Sequence, residues 1–167
     1  MREVMKRRRE QQTERVESAK RFVQRLRSKV GKLTAWVYGS VARGTFKTWS
    51  DIDVFVVAER LPHHPLERSK LLYSCSAEGI EPKAWTLEEF VTKLKKGDKQ
   101  LLAMLTDRIL LIDDLSLEGV LQAKLRAKGF GTQRSTKTEE GGNWRCRRRS
   151  EVGCLRKALK ERRTGRC

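Results

Sequence analysis

The run 52–58, IDVFVVA, constrains the fold of this chain more than any other stretch. β-Branched and aromatic residues dominate it, and Leu61-Pro62-His63-His64-Pro65 closes it, so it reads as a buried strand rather than a helix. Asp51 and Asp53 nevertheless stand at its start, at i and i+2. Aspartate is depleted in strands, and strand alternation sends both carboxylates to one face of a sheet. Side by side they repel unless a cation joins them. Two carboxylates on one rigid strand, with the remaining positions left to water and phosphate oxygens, suit octahedral Mg²⁺.

The rest of the chain supplies partners for that strand. Val16, Ala19, Phe22, Val23, Leu26 and Val30 recur at three- and four-residue steps, one apolar stripe on an otherwise charged helix. Upstream of Arg15 the stripe fades, which predicts a solvated helical extension. A strand over 33–38 ends at Gly39. A short helix follows at about 66–75, and then a strand over 80–86, where Pro82 lacks a donor and so predicts an edge position or a bulge. Thr86-Leu87-Glu88-Glu89 is a capping box that starts a helix through about 96. A further short helix at about 100–106 and a strand over 109–112 complete the order α-β-β-α-β-α-α-β, an α/β (α+β) domain.

Charge divides the chain into three. Of 38 Lys plus Arg and 21 Asp plus Glu, residues 1–29 hold 11 basic and 4 acidic (+7), residues 30–115 hold 12 and 12, and residues 116–167 hold 15 and 5 (+10). The expected organisation is a basic N-terminal helix (1–29), a neutral domain (30–115) and a basic C-terminal extension (116–167). From about Gly129 apolar periodicity ends, and the composition suits disorder, or a helix over 152–162 that orders on a partner. No run of eighteen apolar residues occurs and the N-terminus is charged, so a cytoplasmic protein with no membrane span is expected. Cys75, Cys146, Cys154 and Cys167 form no CxxC pair and have no histidine at zinc-finger spacing, so neither a zinc module nor a disulfide framework is indicated.

One element before the aspartates, Gly39 ends a strand and residues 40–43 can begin a helix. Glycine permits close approach of a phosphate, Ser40 can cap the helix while offering its hydroxyl, and the helix N-terminus favours an anion. Arg43 adds a forked donor for a phosphate oxygen. Phosphate cradle and carboxylates would then face each other across adjacent strands, the layout that nucleotidyl transfer requires.

Gly39-Ser40, ten intervening residues and Asp51-x-Asp53 resemble the signature of the DNA polymerase β-type nucleotidyltransferase superfamily. The sequences Ser40-Val41-Ala42-Arg43-Gly44 and Ser50-Asp51-Ile52-Asp53 are similar to its minimal nucleotidyltransferase branch. The resemblance spans about residues 16–115, with its specificity concentrated in 38–57. It implies a polymerase β-like fold, a small mixed sheet with helices on one face. It further implies an NTP, ATP being expected, held with two Mg²⁺ ions in an open cleft, and transfer of a nucleoside monophosphate with release of pyrophosphate. Gly39 and Ser40 match the family's phosphate turn, Asp51 and Asp53 its metal-binding pair. Glu81 stands where a third carboxylate binds metal and helps activate the acceptor hydroxyl; it is a glutamate where aspartate is usual.

Other residues read more plainly. Glu78 lies in a loop ahead of Gly79, Lys47 is a mid-loop cation that either contacts phosphate or is solvated, and His63 and His64 mark a turn. Trp36, Trp49 and Trp85 are expected to pack or to shield the cleft. Proteins of this branch resemble antitoxins that neutralise a helical HEPN-type protein by binding or adenylylating it. The large extra domains with which RNA-tailing or RNA-repair relatives hold their substrate are not expected here, which favours a protein acceptor or a partner subunit that supplies the rest. Two further classes stand beside this reading: a partner-binding subunit without turnover, and a nucleic-acid-associated protein using the Arg-rich flanks, whose affinity would fall steeply with salt.

Overall fold

The computed structural model describes residues 2–129. The expected disordered tail, the helix considered over 152–162 and three of the four cysteines lie outside the described residues. In chain order the elements are α1 (Arg2–Val30), β1 (Leu33–Tyr38), α2 (Gly39–Arg43), β2 (Ile52–Ala58), α3 (Pro65–Cys75), β3 (Ile80–Thr86), α4 (Leu87–Lys96), α5 (Lys99–Met104), β4 (Arg108–Asp113) and α6 (Leu117–Ala127).

The strands form one mixed sheet in the order β3-β2-β1-β4. β1 pairs antiparallel with β2 and with β4, its register shifting between Ala35 and Trp36 on the β4 side. β3 runs parallel to β2 through the α3 crossover and occupies the edge, where the missing donor of Pro82 costs no ladder bond.

Pleat alternation divides the core in two. On one face Leu33, Ala35 and Val37 of β1 and Val54, Val56 and Ala58 of β2 meet Phe22, Val23 and Leu26 of α1 and Leu72 of α3. On the other, Trp36, Phe55 and Val57 meet Phe90 of α4, Leu101 and Leu102 of α5, and Leu121 and Leu125 of α6. Helices therefore cover both faces, not one as expected. The reason is legible in β1 and β2, whose side chains are nearly all buried on both sides; an inner strand apolar at every position needs cover above and below. Full burial of a side chain such as Phe22 or Leu121 is worth about 1.5–3 kcal/mol.

The capping box closes as expected. Glu89 N donates to Thr86 Oγ1 (3.2 Å) and Thr86 N to Glu89 Oε2 (2.9 Å). Arg68, buried on α3, joins it by donating to Glu89 Oε2 (2.9 Å) and to the Ala84 carbonyl (3.1 Å), tying the crossover to β3 and α4. Burial alone would raise the Glu89 pKa; the Arg68 guanidinium and the Thr86 N–H more than offset it and hold the carboxyl below its ordinary value.

Residues 117–127 differ from expectation. They form α6 and bury Leu117, Leu121 and Leu125. Asp113 caps the helix, accepting from Leu117 N (2.8 Å) and Glu118 N (3.3 Å). Glu118 in turn accepts from Trp36 Nε1 (2.6 Å) and Arg108 Nη2 (2.6 Å). Among the described residues, no helix is long and apolar enough to cross a membrane.

Candidate active site

β1 delivers the chain to Gly39, which turns it directly into α2 with φ +71°. A Cβ at this glycine would collide with Asp53 Oδ2. The turn and the carboxylate are thus in contact at a distance that only glycine allows. No side chain caps the amino end of α2, where Ser40 sits half-buried.

β2 begins at Ile52, whose N–H donates to the Gly79 carbonyl (2.7 Å). Asp51 therefore precedes the strand rather than lying inside it and is exposed, while Asp53 lies in the strand and is half-buried. The strand's pairing starts one residue later than the i/i+2 spacing suggests because Gly79 engages Ile52 first. In the parallel register Asp53 is the partner of Glu81. Alternation then gathers Asp53, Glu81, Lys83 and Tyr38 at one end of the sheet face whose other end is the Trp36–Phe55–Trp85 aromatic group. Phe55 and Trp85 meet edge-to-face at 5.0 Å. Lys83 Nζ lies 3.9 Å from Glu81 Oε1 and 5.9 Å from the Tyr38 ring centroid.

The electrostatics follow from this crowding. Burial raises the Asp53 carboxyl above its ordinary range, the Glu81 and Asp51 carboxylates raise it further, and Lys83 and Arg43 oppose them. Arg43, exposed at the last residue of α2, thereby joins the site through its field. Lys83 is itself held above the usual lysine value, first by the Tyr38 hydroxyl beside it. Tyr38 and Lys83 are the members that sequence reading missed; the i/i+2 spacing of Glu81 and Lys83 on one strand was the available signal.

The remaining candidates separate clearly. Trp36 is fully buried and Trp85 packs on Phe55, whereas Trp49 is 79% exposed and is not part of the core. Lys47 lies 5.5 Å from the Trp49 ring on the same exposed loop. Glu78 is exposed before β3 and, with Arg15, Trp49 and Asp51, lines a cleft of about 370 Å³. His63 and His64 are exposed ahead of α3.

Among the described residues, no three acidic, histidine or cysteine side chains converge into a preformed cation cage. Mg²⁺ does not require one, since it is ordinarily held by one or two carboxylates plus substrate phosphates and water. Asp53, seated on the glycine turn with Asp51 and Glu81 beside it, fits that partial donor set.

A family model described as nucleotidyltransferase domain matches residues 19–108. The chain belongs to the nucleotidyltransferase domain family. A curated protein of Methanocaldococcus jannaschii, named "putative protein adenylyltransferase", is 38% identical over 61 residues, 35% of this chain and 42% of the relative. The chain thus spans less than half the length of that relative. Two solved structures are similar in part. One, a "putative nucleotidyltransferase" from Sulfolobus solfataricus, has a TM-score of 0.48 at 20% identity, over 62% of this chain and 84% of the other. The other, a toxin-antitoxin with AMP-PNP, has a TM-score of 0.40 at 22% identity, over 65% and 94%.

In this nucleotidyltransferase domain, Gly39→Ala is expected to lower the melting temperature by several degrees. Left-handed backbone costs a non-glycine residue about 1–2 kcal/mol, and the new methyl must displace the Asp53 carboxylate. Adding Asp53→Ala should recover the steric part of the loss and leave the backbone part. Thermal denaturation of the wild type, Gly39→Ala, Asp53→Ala and the double variant checks this; a Gly39→Ala protein as stable as wild type would contradict the contact.

Proposed function

We propose that this chain is a Mg²⁺-dependent nucleotidyltransferase that moves AMP from ATP to a hydroxyl group of a partner protein. The observation that carries the reading is the contact of Gly39 with Asp53, with Glu81 in register beside it. A glycine turn meeting a carboxylate at one end of the sheet supports this reading, since nucleotidyl transfer needs a phosphate cradle beside metal-holding carboxylates. Asp51, Asp53 and Glu81 are the residues proposed to hold metal, and Gly39, Ser40 and Arg43 those proposed to hold phosphate. Bound Mg²⁺ would neutralise phosphate charge and polarise the phosphoryl oxygens.

The chain's own residues do the rest. Gly39 lets the backbone approach the phosphates, and Ser40 and Arg43 offer donors to their oxygens. Glu81, exposed and in register with Asp53, would take the proton of the acceptor hydroxyl. The acceptor oxygen bonds to the α-phosphorus, the bond from that phosphorus to the bridging oxygen breaks, and pyrophosphate leaves with the electron pair.

A protein acceptor is supported by two facts. The curated relative is named for protein adenylylation, and residues 30–115 carry 12 basic and 12 acidic residues, a balance that gives a polynucleotide no net attraction. A helical HEPN-type protein, met in the cytoplasm in an antitoxin role, is the partner class proposed. The +7 and +10 flanks motivate the alternative, a polynucleotide substrate. Incubation with α-phosphate-labelled ATP, Mg²⁺ and either the product of the neighbouring reading frame or total RNA separates the two. Label on protein, absent with Asp53→Asn, is the expected result. Label on RNA alone would overturn the acceptor class, and label on neither would leave a subunit that binds its partner without turnover.

A further inference from the structure

The charged half of α1 has a task that its composition conceals. Arg8, Gln12 and Arg15 follow one another at steps of four and three, so they share a face of the helix. All three reach across to main-chain carbonyls of residues 41–50. Gln12 Nε2 donates to Val41 O (2.6 Å) and Ala42 O (3.4 Å). Arg8 donates from Nε to Gly44 O (2.8 Å) and from Nη2 to Phe46 O (3.0 Å). Arg15 donates from Nη1 to Ser50 O and from Nη2 to Thr48 O (2.7 Å) and Lys47 O (3.3 Å). Both guanidinium groups also stand over the Phe46 ring, at 5.5 and 4.8 Å from its centroid, and that side chain is 5% exposed.

This segment has little hydrogen bonding of its own. Beyond the helical bonds of α2, it has Gly44 N to Val41 O, Thr45 N to Ser40 O, Ser50 N to Lys47 O and Lys47 N to Ser50 Oγ (2.9 Å). A surface loop so poorly bonded ordinarily leaves its carbonyls to water and opens at little cost. Here a rigid helix satisfies the carbonyls of Val41, Ala42, Gly44, Phe46, Lys47, Thr48 and Ser50 instead. The clamped segment is also the one that joins Ser40 to Asp51, and therefore sets how the phosphate turn stands relative to the mouth of β2.

We propose that Arg8, Gln12 and Arg15 are positioning residues of the nucleotide site, fixing residues 41–50 so that the phosphate turn and the carboxylates are preorganised before nucleotide arrives. The proposal rests on the nucleotidyltransferase reading above. Its energetic logic is that of population: if only a fraction of molecules holds the competent loop, the apparent dissociation constant rises by the inverse of that fraction. The polar face of α1 then acts on binding through the loop it grips.

The test uses the full chain carrying Arg8→Gln with Arg15→Gln, and separately Arg15→Lys. Hydrogen exchange, melting temperature and Mg-ATP binding by calorimetry are read on each. In the double variant the amides of residues 44–51 should exchange at least about tenfold faster while those of α4 and α6 hold their wild-type rates. The apparent Kd for Mg-ATP should rise on the order of tenfold, with far-UV dichroism unchanged. Arg15→Lys keeps the charge but not the fork, so it should fall between. Asp53→Asn serves as the separate control on the site, losing Mg-ATP affinity with wild-type exchange over 44–51. Unchanged exchange in the double variant, or faster exchange with unchanged affinity, would overturn the positioning role. Unchanged affinity in Asp53→Asn would instead overturn the nucleotide site, and the role with it, whatever the loop does.

Discussion

Asp53→Asn should abolish nucleotidyl transfer while giving a protein that melts above wild type in metal-free buffer at neutral pH. The loss of rate is expected to be on the order of 10³-fold or more, because metal-assisted charge neutralisation contributes several kcal/mol and each 1.36 kcal/mol is a factor of ten. The gain in stability has a different origin. Burial and the carboxylates of Glu81 and Asp51 raise the Asp53 pKa in the folded protein above its unfolded value, so ionised Asp53 disfavours the folded state. That penalty is complete above the folded pKa and vanishes as pH falls to the unfolded value of about 3.9. The variant's advantage in melting temperature should therefore be present at pH 7 and disappear by about pH 4. Parallel melts across that range, with transfer assays alongside, check both halves. A variant that keeps transfer, or one less stable than wild type at pH 7 without metal, would contradict the site.

A chain ending at Ser116 should fail to fold cooperatively, whereas one ending at Gly129 should melt in a single transition. Removing α6 strips Leu117, Leu121 and Leu125 from the core, a loss of about 5–9 kcal/mol at 1.5–3 kcal/mol each. It also removes Glu118, leaving Trp36 Nε1 and a buried Arg108 guanidinium without their acceptor, and each buried group so stranded costs about 1–3 kcal/mol more. Domains of this size have about 5–15 kcal/mol in all. The chain ending at Gly129 keeps every contact described above. Circular dichroism melts of the two distinguish them, and a cooperative transition in the shorter chain would show that α6 is peripheral.

The elements most readily read from sequence were those whose pattern and punctuation agree. β1 and β2 are short apolar runs stopped by Gly39 and by Leu61-Pro62, β3 carries a proline suited to an edge or a bulge, and α4 opens on Thr86 and Glu89. Helix α6 escaped because its burial rests on three leucines spaced at i, i+4 and i+8, a stripe too narrow to stand out in a basic segment, and because its cap is Asp113, inside the preceding strand. The covering of both sheet faces was implicit in the unbroken apolarity of β1 and β2. At the site, the spacing of Gly39, Asp51 and Asp53 could be read along the chain. The pairing of Asp53 with Glu81 depends on a parallel register set by the α3 crossover, and that is a tertiary fact. The grip of Arg8, Gln12 and Arg15 on residues 41–50 was hidden for a further reason: a side chain bonded to main-chain carbonyls leaves no complementary side chain to signal the contact.

The parity of β2 has one more consequence. Val54 and Val56 point toward α1 and α3, while Asp53 points to the opposite face. Were β2 to slip by one residue against β1 and β3, Asp53 would be driven toward the apolar cluster of Phe22, Val23 and Val41, and Phe55 would follow it to the wrong side. Burying an unpaired carboxylate there costs far more than the exchange of one apolar contact for another. A strand of valines alone would tolerate that slip with little complaint. The charge proposed to hold metal would thus also act as a key that admits β2 in one alignment only, so that substituting it would remove both a proposed ligand and a safeguard against misalignment.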